Sequence, residues 1–155
     1  MKFVVIGPTF PFRGGISHYT TLLVKHLRER HDVRFFSYRR QYPKWLFPGN
    51  VAADPSANTL YEPCERIIDT LNPLTWIATA RRVVAERPDI LLLQWWTPFW
   101  IPLLLIVSRA AHRAGIPVLY ISHQFIEPDS SLIEWFFARM TLRLADGLIV
   151  MTEEE

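Results

Sequence analysis

Short, unbroken apolar runs alternate with helix-patterned stretches along most of this chain. Each run is apolar on consecutive positions rather than on alternate ones, as in Phe3-Val4-Val5-Ile6 and Ile90-Leu91-Leu92-Leu93. A strand of that kind is covered on both faces, and strands alternating with helices specify a parallel sheet with helices on both sides. The reading is therefore α/β, a Rossmann-like parallel sheet. The pattern predicts strands at 2–7, 33–38, 90–94, 118–122 and 148–151. It predicts a first helix over 17–29 with Ser17 as N-cap and Ile16, Tyr19, Leu23 and Leu27 on its inner stripe. Asn72-Pro73 opens a second helix that runs to Pro88, with Leu74, Ile77, Ala80, Val83 and Val84 inward. A third covers 101–114, and Ser131 with Glu134 forms a capping box for a fourth that ends near Leu144. Residues 39–63 hold Pro43, Pro48, Pro55 and Pro63 and read as a long loop with a short strand near 59–61.

At 155 residues the chain has the length of one domain, taken here as 1–155. Half the residues are hydrophobic and 21% are charged, which excludes a disordered chain or a coiled coil. The single cysteine, Cys64, excludes an internal disulfide framework, and the scattered histidines offer no metal-ligand spacing. A formal charge of +2 is too small for a general nucleic-acid binder. The charge is uneven, however. Lys25, Arg28, Arg30, Arg34, Arg39, Arg40 and Lys44 face only Glu29 and Asp32 in the same stretch, so this region is either a solvated basic face or a contact for an anionic partner. Residues 90–107 carry no charge, but Pro98 and Pro102 interrupt them, so they read as a strand, a loop and a buried helix rather than a membrane span.

In a sheet of this type ligands sit outside the carboxyl ends of the strands. That places Thr9, Phe10, Arg13, Gly14 and Gly15 at one edge with Trp95, Trp96, Thr97, His123, Gln124, Thr152 and Glu153. Gly14-Gly15 ahead of a helix suits an anion held by free N–H groups, and equally a surface turn. Neither a dinucleotide fingerprint nor a phosphate-binding Gly-Lys-Ser/Thr loop is present, which disfavours a nicotinamide dehydrogenase. His123 is either a partner for a bound polar group or a histidine bonded to a nearby carbonyl. His18, one turn beyond Gly15, is the other histidine able to face the same edge. Trp95, Trp96, Phe99 and Trp100 suit a sugar, a lipid or the core. Trp45-Leu46-Phe47 among Arg39, Arg40 and Lys44 suits either a membrane-interface contact or a half-packed loop.

Several of these segments together resemble glycosyltransferase family 4. They are Phe3-Val4-Val5-Ile6-Gly7, Phe12-Arg13-Gly14-Gly15-Ile16, Arg87-Pro88-Asp89-Ile90, Gly115-Ile116-Pro117-Val118 ending in His123, and Ala145-Asp146-Gly147-Leu148-Ile149-Val150 before Thr152-Glu153. The resemblance implies one half of a GT-B fold, in an enzyme that retains stereochemistry. It implies a nucleotide-diphosphate sugar as co-substrate, no essential metal, and an acceptor that is a glycan or is lipid-linked. Arg13, Gly14 and Gly15 would approach the donor phosphates and His123 the transferred sugar. His18, Arg39, Arg40, Lys44, Trp45 and Gln124 would meet the acceptor or the membrane. The family often has Asn or Asp where Gln124 stands, and Ser where Thr152 stands. The resemblance further implies a second domain, absent after Glu155, or a subunit that supplies it. It implies a cytoplasmic location, peripheral at the inner membrane face. The rival expectation is a non-catalytic module of the same fold that docks on another subunit or on a membrane.

Overall fold

The computed structural model describes residues 1–43, 60–123 and 132–150. Six parallel strands form one sheet: β1 (Lys2–Ile6), β2 (Asp32–Arg40), β3 (Glu65–Asp69), β4 (Ile90–Trp95), β5 (Val118–Ser122) and β6 (Gly147–Ile149). Four helices accompany them: α1 (Gly15–Arg28), α2 (Pro73–Glu86), α3 (Ile101–Arg113) and α4 (Leu132–Leu142). The strand order is β3-β2-β1-β4-β5-β6, so the order reverses between β1 and β4. A reversal of that kind opens a crevice at the carboxyl edge, because the loops leaving the two central strands turn to opposite sides.

The two faces of the sheet carry different cores. Phe3, Val5, Val33, Phe35 and Leu92 pack with Val24 of α1. Val4, Ile6, Phe36, Tyr38, Leu91, Leu93 and Tyr120 pack with Ala80 and Val83 of α2 and with Leu103, Leu104, Val107 and Ala111 of α3. Alternate residues of β1 and β4 serve opposite faces, which is why both strands are apolar throughout. A hydroxyl pair, Ser108 Oγ and Tyr120 Oη at 2.8 Å, ties α3 to β5 inside the larger core. Asp146 accepts from the Val118 backbone N–H and from His112, both on one carboxylate oxygen. These bonds, the backbone N–H first, hold its carboxyl below the usual range and lock the approach to β6 onto β5.

Four expectations are corrected. The N-cap of α1 is Gly14, not Ser17, which is 2% exposed inside the helix. The fully buried stripe of α1 is Ser17, Thr20, Thr21 and Val24, with the Thr20 and Thr21 hydroxyls on the carbonyls of Ile16 and Ser17; Leu27 packs against the core as expected, while Ile16, Tyr19 and Leu23 are only half-buried. In α2, Asn72 caps as expected, with its side chain accepting from Leu74 N–H, but Leu74 and Ile77 are exposed. In α2 the fully buried positions are Thr79, Ala80 and Val83, and in the first turn it is Trp76 that packs on the core and donates to the Asp69 carbonyl of β3. The third strand is β3 at 65–69, and Tyr61 lies outside any strand. The end of the last expected strand and the capping box at Ser131 lie partly or wholly outside the described residues. Among the described residues no helix is long and apolar enough to cross a membrane.

Candidate functional site

The loop that leaves β1 is held from two sides. Thr9 Oγ1 meets Thr21 Oγ1 of α1 at 2.7 Å, and Arg66 of β3 donates to the Phe10 carbonyl at 2.8 Å. The Phe12 N–H donates to the Thr9 carbonyl, closing a turn that delivers Arg13 and Gly14 to the rim. Gly14 has φ +131°, a backbone state that side-chain-bearing residues rarely adopt. A Cβ at Gly14 or Gly15 would meet nothing within 4 Å. The bare backbone therefore leaves the start of α1 open instead of relieving a packing clash. Among the described residues no side chain caps that helix, and its first turn holds no acid, which leaves its first N–H groups and the positive end of its dipole for an anion.

A cavity of about 200 Å³ lies there. Arg13, Gly14, Gly15, Ile16 and Ser17 line one side, and Gln41, Tyr42 and Trp96 line the other. Tyr42 also packs among aromatic rings. Its hydroxyl accepts from Trp96 Nε1 at 2.9 Å, and its ring lies 5.7 Å from Phe99 and 6.0 Å from Trp100. A second, apolar cavity of about 290 Å³ is lined by Pro43, Leu71, Trp76, Phe99, Trp100 and Leu103 among others. So Trp95 and Trp100 belong to the core, whereas Trp96 borders the polar cavity and Phe99 the apolar one.

His123 stands just past β5, with its N–H on the Trp95 carbonyl at 2.9 Å. It is brought to the same rim as the glycines by Tyr19, one turn into α1, whose ring meets the imidazole edge-on at 4.9 Å. His123 does not line the polar cavity itself and reaches α1 through the ring of Tyr19. Its Nε2 pairs with Gln94 Oε1 at 2.5 Å. Burial holds its pKa below the ordinary 6.5. The unfolded chain then binds a proton on this ring more readily than the folded one. The stability His123 contributes is whole above pH 6.5 and is lost as the pH falls through the depressed folded value. Denaturant unfolding between about pH 7.5 and pH 5 is expected to show a steeper loss in the wild type than in His123→Gln. Equal slopes would contradict the burial of this imidazole.

The other expected site residues are more dispersed. His18 is half-buried in the first turn of α1 and is not part of the cavity lining. Arg39 and Arg40 are exposed at the end of β2, and Arg40 pairs with Asp69 at 2.9 Å. Lys44, Trp45 and Gln124 lie outside the described residues, as do Thr152 and Glu153. Tyr19, Gln41, Tyr42 and Gln94 were not singled out from the sequence. Of these only Gln94 left a signal, as the one polar residue in the apolar run of β4. Among the described residues no cluster of histidine, cysteine or carboxylate side chains could hold a metal ion.

Comparison with known proteins follows the same lines. The solved UDP-GlcNAc 2-epimerase from Methanocaldococcus jannaschii superimposes with a TM-score of 0.64 at 17% identity, over 99% of this chain and 40% of that one. MurG from Acinetobacter baumannii gives 0.55 at 14%, over 98% and 42%. An alpha-glucosyltransferase solved with UDP-glucose and DNA gives 0.52 at 12%, over 99% and 36%. At such identities the likeness is one of fold, and this chain spans about two fifths of each of the first two. No curated protein matches. The family model described as a glycosyl transferase 4-like domain matches residues 14–155. With its six parallel strands, its reversal between β1 and β4 and its fit to one half of larger GT-B molecules, the chain belongs to the glycosyl transferase 4-like domain family.

Proposed function

We propose that this chain is the acceptor-binding, N-terminal half of a retaining glycosyltransferase that moves a sugar from a nucleotide-diphosphate sugar to a glycan or lipid-linked acceptor. The observation that carries the reading is the shared rim. The uncapped start of α1 with Gly14 and Gly15, and the imidazole of His123, are joined there through Tyr19. In this reading the free N–H groups of α1 and the exposed Arg13 bind the donor phosphates, and His123 touches the transferred sugar. Backbone donors and a guanidinium supply positive charge for the diphosphate, and the expectation of no essential metal comes with the family resemblance. Retention of stereochemistry comes with the family resemblance.

The acceptor would enter from the side of β2, past Arg39, Arg40 and His18. The apolar cavity lined by Phe99 and Trp100 supports an acceptor with a hydrocarbon part, and a working place at the cytoplasmic face of a membrane comes with the family resemblance. A single wall of a cleft positions a donor poorly and stabilises little of the transition-state charge. The 155-residue chain alone is therefore expected to be inactive. Incubation with a panel of UDP- and GDP-sugars should give no sugar release or transfer above background, and robust turnover would contradict the proposal. One observation favours a second reading, a non-catalytic module that docks on another subunit: Trp135 and Phe136 are 52% and 64% exposed on α4. Specific binding of nucleotide sugars at the Gly14-Gly15 rim would count against it.

A further inference from the structure

The most conspicuous polar residue inside this sheet is Gln94. It is 1% exposed, in a strand whose other members are Ile90, Leu91, Leu92, Leu93 and Trp95. It sits at the carboxyl end of β4, beside β1, where the strand order reverses. Room for it is made by Gly7. A Cβ on Gly7 would come within 2.6 Å of Gln94 Cγ and 2.9 Å of Thr20 Cγ2. The chain thus gives up a side chain at the end of β1, and the amide takes that space. The nearby Thr20 hydroxyl is committed to the Ile16 carbonyl and does not serve the amide.

The amide reaches one polar partner, the Nε2 of His123, through Oε1. Gln94 Nε2 is buried and has no hydrogen-bond partner among the described residues. An amide oxygen can only accept, so the imidazole must carry its proton on Nε2. Nδ1 of a neutral ring is then an acceptor, and no hydrogen bond among the described residues occupies it. The other group packed on the ring is the Tyr19 phenol from α1, and no charged side chain among the described residues acts on the imidazole.

We infer that Gln94 is a positioning residue that holds His123 in the single Nε2–H tautomer, so that the ring offers Nδ1 as an acceptor to a hydroxyl or amide N–H of a bound ligand. A neutral acceptor of this kind selects a sugar hydroxyl and repels a phosphate oxygen. This fits the division of labour that the family resemblance implies, with His123 at the sugar and the phosphates at Arg13 and the start of α1. This division of labour rests on the proposed function; the tautomer itself does not.

The test is a long-range ¹H–¹⁵N spectrum of the 155-residue chain with ¹⁵N-labelled histidine, recorded above the titration of the ring. His123 is expected to show one tautomer, with Nε2 protonated and Nδ1 bare. Gln94→Glu should keep that tautomer, since a carboxylate also accepts, and should move the titration midpoint of His123 up by about one pH unit or more. Gln94→Leu should release the ring into a mixture of tautomers. Protonation on Nδ1 in the wild type would mean that the amide is turned over and donates, and would overturn the inference. So would a single Nε2–H form that persists in a folded Gln94→Leu. If that variant does not fold, the wild type and Gln94→Glu decide. None of these readouts needs a sugar donor, so the tautomer can stand if the glycosyltransferase reading fails. Adding a nucleotide sugar then tests the ligand: a selective shift of Nδ1 supports the assignment to the sugar. A bound donor that leaves Nδ1 unmoved overturns that part.

Discussion

Gly7→Ala is expected to lower the unfolding free energy of the 155-residue chain by about 1–3 kcal/mol, the usual cost of forcing an extra carbon into a packed interior. The new Cβ would lie 2.6 Å from Gln94 Cγ and 2.9 Å from Thr20 Cγ2. Neither neighbour can yield cheaply. Gln94 is walled into β4 and bonded to His123, and Thr20 is fully buried on α1 with its hydroxyl on a backbone carbonyl. The strain should pass through Gln94 to the imidazole, so the His123 resonances should move together with the loss of stability. Gly15→Ala is the control, because a Cβ there meets nothing within 4 Å. Urea unfolding of the two variants checks the contrast. Equal stabilities would mean that the junction of β1 and β4 is looser than described.

His123→Ala should reduce sugar transfer by about 10²–10³-fold in any catalytically competent form of the protein that carries this domain, the range for losing one preorganised hydrogen-bonding group at a reacting centre. The imidazole is already held before any ligand arrives, by Gln94 on Nε2 and by the Tyr19 ring, and the residue's backbone is anchored by its N–H on the Trp95 carbonyl. A group held in this way costs little to reorganise when the sugar moves, so the loss should fall on kcat more than on KM. Removing the ring also strips Gln94 Oε1 of its partner and costs some stability, about 1–3 kcal/mol. The rate must therefore be read at a temperature where the variant is folded. A variant with wild-type kcat would remove His123 from the chemistry.

The strands that cross the middle of the sheet were plain in the sequence, because burial on both faces demands unbroken apolar runs. β5 begins at Val118 and ends at Ser122 as the pattern requires, and β4 extends one residue past it to Trp95. β3 was hidden because it is an edge strand reading Glu65-Arg66-Ile67-Ile68-Asp69, with only Ile68 fully buried. Charged edge strands protect a sheet from further pairing and carry no apolar signature. The inner stripe of α1 was missed for a different reason. Hydropathy points to Leu27, which does pack on the core, and to Leu23, which is only half-buried; the narrow space beside Gly7 favours Thr20, and hydroxyls bonded to carbonyls one turn back can be buried cheaply. At the site, Gly14 and Gly15 were legible from composition and His123 from its place after a strand. Tyr19 and Gln94, which join the glycine end of α1 to the histidine, were not, because their roles arise from contacts between distant segments.

The central claim is that the start of α1 and His123 act together on one nucleotide-sugar donor. The most direct measurement is amide and histidine chemical-shift mapping of the 155-residue chain titrated to millimolar UDP- and GDP-sugars, a range that detects the weak binding expected of a single cleft wall. The account predicts that one of these donors perturbs Gly14, Gly15 and His123 along a common saturation curve, and that NAD does not. Shifts confined to other parts of the surface, or perturbation of the glycines without the histidine, would contradict it.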